Sequence, residues 1–180
     1  MNSTTTRPNS IIFDLIALTK PRVNFLIIFT AIVGMLLAQD YDLNYSLMIY
    51  ASIGIYLAAS AAAVINQIVD QKIDAIMDRT KSRPLIKGNV TSGHAIFFSI
   101  IISAISTYIL YEYVNTITTI LTLFSIIVYS IIYSVYLKNL TSQNIVIGGI
   151  AGAMPPLLGW TAITNGVSEL PLLLFLIIFL

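Results

Sequence analysis

Five apolar stretches, each close to the length that crosses a hydrocarbon bilayer, follow one another through this chain, joined by more polar links of which residues 70–94 are the longest. They run from about Val23 to Ala38, Ser46 to Val69, Ala95 to Tyr111, Thr116 to Leu137 and Ile145 to Thr164. A spanning helix needs ~20 predominantly apolar residues. In lipid, only a helix or a closed barrel satisfies every backbone N–H and C=O. The chain is therefore expected to be all-α, a polytopic transmembrane helix bundle forming a single membrane domain over residues 1–180. Composition agrees, since 57% of the residues are hydrophobic and 9% charged. Soluble domains carry roughly 25% charged residues, and a chain so poor in charge could not cover a globular surface.

The ends add detail. Residues 1–10 are polar, have no signal-peptide pattern, and are expected to form a flexible tail. Residues 11–19 are apolar but short and interrupted by Asp14, which suits a helix lying at the membrane interface. Thr19-Lys20-Pro21-Arg22 then opens the first span, with threonine able to cap and proline tolerated in the first turn. From Leu170 an apolar run reaches Leu180, about half of what a span needs. It reads as the start of a sixth span, and the chain as the front part of a longer protein.

The cations fix an orientation. All nine Lys and Arg fall in the N-terminal segment or after the second and fourth spans. The alternate loops hold Asp40, Asp42, Glu112 and Glu169. The positive-inside rule places the N-terminus and the 70–94 loop on the cytoplasmic side.

The same counts narrow the chemistry. With no cysteine, disulfides, thiolate metal sites and cysteine nucleophiles are excluded. The single histidine, His94, disfavours a histidine-rich metal site or a Ser-His-Asp triad. A net charge of +1 gives no basic face for nucleic acid.

Against that background eight charges lie within the eighteen residues Asp70 to Lys87. Asn66, Asp70, Asp74 and Asp78 recur every four residues. On a continuous helix they would share one stripe, each a turn beyond the last. Stacked carboxylates repel unless a cation neutralises them, and their hard oxygens suit magnesium, which binds through one or two carboxylates plus phosphates and waters. Arg79, Lys81, Arg83 and Lys87 follow and can meet phosphate oxygens. Carboxylates for a metal and cations for an anion, at the mouth of an apolar bundle, suit an amphiphile with a diphosphate head and a lipid tail. Mixed charge at a cytoplasmic helix end also fits a solvated loop obeying the positive-inside rule.

Asn66-Gln67-x-x-Asp70-x-x-x-Asp74, continued by Met77-Asp78-Arg79-Thr80-x-x-Arg83-Pro84-Leu85, resembles the first aspartate-rich motif of the UbiA-type intramembrane prenyltransferases. The continuation is similar in particular to the haem O synthases of that superfamily. Leu18 to Arg22, Tyr133-Ser134-x-x-Leu137-Lys138 and Gly148 to Trp160 agree with it. The resemblance implies that Asn66, Asp70 and Asp74 bind Mg2+, with Asp78 as a further candidate. It puts Arg79, Lys81, Arg83, Tyr133 and Lys138 near the diphosphate, with Asp70 and Asp74 central to catalysis. It implies farnesyl transfer from farnesyl diphosphate to the vinyl group of haem B, in a bacterial inner membrane or, in a eukaryote, the mitochondrial inner membrane. It also points to association with haem A synthase or the terminal oxidase assembly pathway. The family's second aspartate-rich motif, in a later loop, is absent from these 180 residues. The isolated chain is therefore expected to be inactive. The alternatives are a quinone or chlorophyll prenyltransferase of the same superfamily, an inactive fragment, and a cation-binding membrane subunit. The CDP-alcohol phosphotransferases are a further class, but their Asp-Gly lead-in is missing.

Other residues carry two readings. Tyr129, Tyr133 and Tyr136 fall at i, i+4 and i+7, as an interfacial belt or as partners of a cation or diphosphate. Gly148 and Gly152 with Pro155-Pro156 suggest close packing followed by a kink or break. His94 suits an interface residue better than an axial ligand, and Trp160 an interface anchor or cavity wall.

Overall fold

The computed structural model describes residues 11–38, 44–137 and 144–180. The expected tail over 1–10 and Lys138 lie outside the described residues. Among those described there are helices and no strands. The helices are α1 (Ile11–Leu18), α2 (Pro21–Leu37), α3 (Tyr45–Val69), α4 (Gln71–Asp74), α5 (Ser92–Tyr113), α6 (Thr116–Ile127), α7 (Asn144–Thr164) and α8 (Glu169–Phe179). A π-helical segment, Val128–Leu137, continues α6.

Three stretches are long and apolar enough to cross a membrane: α3, α5 and the α6 stretch Thr116–Ser134. Counting the bent pair α1 and α2 as one span makes four among the described residues, against about five expected from hydropathy. The chain is an integral membrane protein. Its outward surface fits that role, with Phe25, Phe97, Tyr108 and Ile177 each exposed where soluble helices would carry charge.

Caps set the boundaries. Asn44, Thr91 and Asn115 accept hydrogen bonds from the backbone N–H groups of Leu47, His94 and Thr118, satisfying donors at the helix starts. Thr19 does something other than expected. Its hydroxyl donates to the Ile16 carbonyl at 2.8 Å, closing α1 rather than capping α2. The N-cap position of α2 is Lys20, whose φ of 52° and ψ of 62° are left-handed and which makes no side-chain cap. The chain turns by 48° between α1 and α2 at that point.

The apolar core joins Ala31 and Met35 of α2, Ala51 and Ile55 of α3, Leu110 of α5 and Leu157 of α7. Small residues let backbones meet, as is usual between helices in lipid. A Cβ on Gly34 would collide with the Pro156 carbonyl, and one on Gly159 with the Ala31 carbonyl. The close approach expected of Gly148 and Gly152 is thus made by another glycine pair. Gly148 instead receives the Tyr133 ring, and Gly152 has open space beside it. Nor does the helix break at its prolines, for α7 runs through Pro155-Pro156 to Thr164.

A second, smaller core lies at the charged end. Leu18, Val64, Leu85, Val90 and Ala95 pack together there, so the 75–91 loop is tied down at Leu85 and Val90. Gln71 reinforces this by accepting from the Ser92 hydroxyl at 3.0 Å and donating to the Leu85 carbonyl at 3.4 Å.

Candidate functional site

The site is built where α3 stops. Helix α3 ends at Val69, Asp70 follows at its C-cap, and α4 adds a single turn through Asp74. The backbone bonds Asp70 N–H to Asn66 C=O (3.0 Å) and Asp74 N–H to Asp70 C=O (2.8 Å) keep the three residues one turn apart. All three are buried. The stripe ends there. Beyond Asp74 the chain enters turns, and Asp78 sits on the surface paired with Lys81 at 2.7 Å. The four-rung ladder expected of one continuous helix is therefore three rungs long.

Arg83 returns to the ladder from the loop, its guanidinium paired with the Asp74 carboxylate. Two further bonds hold that return: the Thr80 hydroxyl donates to the Asp74 carbonyl at 2.8 Å, and Arg83 N–H donates to the Thr80 carbonyl at 3.0 Å. Arg79 and Lys81 are exposed and stand apart from these contacts. Lys138 lies outside the described residues.

Asn66 is gripped from two other elements. Its carbonyl oxygen accepts from Lys20 Nζ at 3.1 Å, and its amide donates to Ser134 Oγ at 3.1 Å. The start of α2, the end of α3 and the π-helical segment thus converge on one face of the bundle. Ser134 reaches Asn66 because of the widened turn; its hydroxyl also donates to the Tyr129 carbonyl, five residues back, at 2.8 Å. An i→i+5 ladder turns more slowly than an α-helix, so the i, i+4, i+7 alignment of the tyrosines fails. Tyr129 and Tyr133 stack with centroids 5.5 Å apart, whereas Tyr136 is exposed.

Lys20 was legible in the sequence only as part of the Leu18 to Arg22 stretch that opens the first span. Its place depends on a polar staple. Gln67 Nε2 donates to the Leu18 carbonyl at 2.6 Å, and Asn24 Nδ2 donates to the Thr19 carbonyl and to Ser60 Oγ, each at 2.8 Å. A left-handed non-glycine residue costs about 1–2 kcal/mol and persists only where its surroundings over-determine it. The signal for the staple was Asn24 itself, an amide inside an apolar span.

Beside Lys20 a chamber of about 360 Å³ opens into the bundle between α2, α3, α6 and α7. Ala59, Ala62 and Ala63 of α3 and Gly148 and Gly152 of α7 make the room, and Tyr129 forms part of the wall. The chamber lining is apolar apart from Lys20, Asn24, Thr122, Ser125 and Tyr129. His94 is exposed at the start of α5, and Trp160 does not line the chamber.

Comparison with known proteins identifies the family and the fold. The UbiA prenyltransferase family matches residues 27–180. The chain belongs to that family. It is 51% identical over 166 residues to a protoheme IX farnesyltransferase of Hahella chejuensis, covering 92% of this chain and 56% of the relative. It is 51% identical over 162 residues to that of Nitrosomonas europaea, covering 90% and 54%. With protoheme IX farnesyltransferase 1 of Pseudomonas entomophila the identity is 46%, over 97% of this chain and 58% of the relative. The chain therefore spans about half the length of the curated relatives it matches. A solved digeranylgeranylglyceryl phosphate synthase shares the fold, with a TM-score of 0.82 at 20% identity, over 95% of this chain and 59% of that one.

Among the described residues no three Asp, Glu, His or Cys side chains converge on a metal position. Two buried carboxylates and an amide fit the demand of magnesium, which takes one or two carboxylates and completes its shell from phosphate oxygens and water.

Proposed function

We propose that this chain supplies part of a magnesium-dependent farnesyltransferase that joins the farnesyl group of farnesyl diphosphate to a vinyl group of haem B at a bacterial inner membrane, releasing diphosphate. Water then supplies the hydroxyl of the hydroxyethylfarnesyl side chain of haem O. The observation that carries the reading is the three-rung Asn66-Asp70-Asp74 ladder, contacted by Arg83 and by Lys20, with Lys20 also lining an apolar chamber. The names of the relatives favour haem over a quinone as acceptor.

Asp70 and Asp74, with Asn66 beside them, are the residues that would hold Mg2+. When bound, the ion supplies charge stabilisation for diphosphate as it departs. The chain's own groups do the rest. Lys20 and Arg83 present donors to the phosphate oxygens, the lysine as a point charge and the arginine as a planar fork. The chamber takes the isoprenoid, and its walls exclude water from the allylic cation that forms as the carbon–oxygen bond breaks. Tyr129 lines the chamber and stacks on Tyr133, and aromatic faces attract cations.

Asp70→Asn and Asp74→Asn in the full-length protein are expected to abolish farnesyl transfer, read as haem O in extracted pigment. Transfer retained at saturating magnesium would refute the site. Prenylated aromatic product in place of haem O would move the reading to a quinone pathway.

A further inference from the structure

The contact between Arg83 and Asp74 joins a residue expected to meet diphosphate to one expected to meet metal. Asp74 is buried, and the carboxylate faces the guanidinium directly, while the Arg83 side chain keeps 25% of its surface exposed. We infer that Arg83 occupies the Asp74 carboxylate in the metal-free protein and swings from it to the diphosphate when metal and anion arrive together. The inference rests on the magnesium-diphosphate reading above.

The physical case has three parts. A buried carboxylate needs a counter-charge, and among the described residues Arg83 is the partner of Asp74. A divalent cation reaching Asp74 alone would meet the guanidinium at close range, with no anion to screen the repulsion. Diphosphate removes that obstacle, because its oxygens accept the Arg fork in a bidentate pair. The move needs little from the backbone. The bonds from the Thr80 hydroxyl to the Asp74 carbonyl and from Arg83 N–H to the Thr80 carbonyl hold the main chain. Only the arginine side chain has to rotate.

The consequence is an order of assembly. Metal alone binds weakly, and metal with diphosphate binds well. By linkage each raises the affinity of the other by the same factor. Lys20 stands in the same relation to Asn66, its ammonium on the amide oxygen at 3.1 Å.

The test uses the full-length protein in detergent, Mn2+ as the spectroscopic stand-in for Mg2+, and inorganic pyrophosphate as the anion. Free Mn2+ is read by electron paramagnetic resonance. In the wild type, pyrophosphate is expected to tighten Mn2+ binding about tenfold or more, within the usual span of such couplings. Arg83→Gln is expected to tighten Mn2+ binding in the absence of pyrophosphate several-fold and to shrink the enhancement. Arg83→Lys keeps the charge and loses the fork. It should exclude lone Mn2+ as the wild type does while showing a reduced enhancement. It also serves as the decisive variant if Arg83→Gln fails to fold because it strands Asp74. Unchanged or weaker lone-metal binding in folded Arg83→Gln overturns the inference and leaves the metal site standing. So does Arg83→Lys binding lone Mn2+ more tightly than the wild type. No Mn2+ binding in any protein, with or without pyrophosphate, overturns the metal site and the inference together.

Discussion

Asn24 offers the sharpest test of how the site is held. Its amide donates two bonds, to the Thr19 carbonyl and to Ser60 Oγ, each 2.8 Å, from a position 1% exposed. Asn24→Leu keeps the side-chain volume and removes both. Side-chain hydrogen bonds inside membrane proteins are worth about 0.6 kcal/mol on average and up to about 1.7 kcal/mol. Two well-made, buried bonds therefore give a loss of about 1–3 kcal/mol. In a chain of this size that lowers the thermal midpoint by roughly 3–10 °C. Ser60→Ala removes one of the two bonds and should cost about half as much. Because Asn24 and Ser60 touch, the double variant should fall short of the sum. The assay is thermal unfolding in detergent, followed by the loss of monodisperse protein. The same corner carries the left-handed Lys20, so Asn24→Leu should also weaken pyrophosphate binding, and Lys20→Met should erase that second effect. An Asn24→Leu protein as stable as the wild type would refute the staple. Independent losses from Asn24→Leu and Lys20→Met in pyrophosphate titrations would refute its link to the site.

Other substitutions separate the parts of the architecture. Gly159→Ala and Gly34→Ala should each destabilise the fold by about 1–3 kcal/mol, since the added carbon meets a backbone carbonyl of the facing helix; unfolding midpoints report it. Gly152→Ala has open space and lines the chamber, so it should keep or slightly raise the midpoint, Ala being the better helix former, and reduce the capacity for a bound isoprenoid analogue. Thr122→Val should be neutral or slightly stabilising, because among the described residues the buried Thr122 hydroxyl has no hydrogen-bond partner and loses nothing on removal. Asp78→Ala or Lys81→Ala should shift stability by less than ~1 kcal/mol, as their ion pair is exposed.

The path of the chain was legible wherever one signal dominated. Hydropathy placed α2, α3, α5 and α7 within a few residues of their ends, because in lipid backbone satisfaction leaves helix as the single economical choice. The four-residue spacing located Asn66, Asp70 and Asp74 on consecutive turns. It overran at Asp78, because spacing says nothing about where a helix ends and the first strong breaker, Pro84, lies well beyond Asp74. The tyrosine face and the glycine pairing failed for a related reason. Both depended on the local pitch or on which helix lies opposite, and these are properties of packing. Lys20 was the largest omission. Its importance arises from contacts with Asn66, 46 positions away, and from a backbone conformation that side-chain identity does not announce.

The widened turn of Val128–Leu137 gives this helix an unusual sensitivity to its own length. A π-helical stretch fits more residues into the same rise than an α-helix does, so it behaves as an insertion already absorbed. A single-residue deletion here would leave no gap. It would let the segment relax toward α-helix and rotate everything downstream of Tyr129. Ser134 would turn away from Asn66 and the Tyr133 ring would leave Gly148, with no residue of either contact changed. In this protein the fit between helices is written partly as a residue count, and an alignment that closes up one position there would hide a broken site.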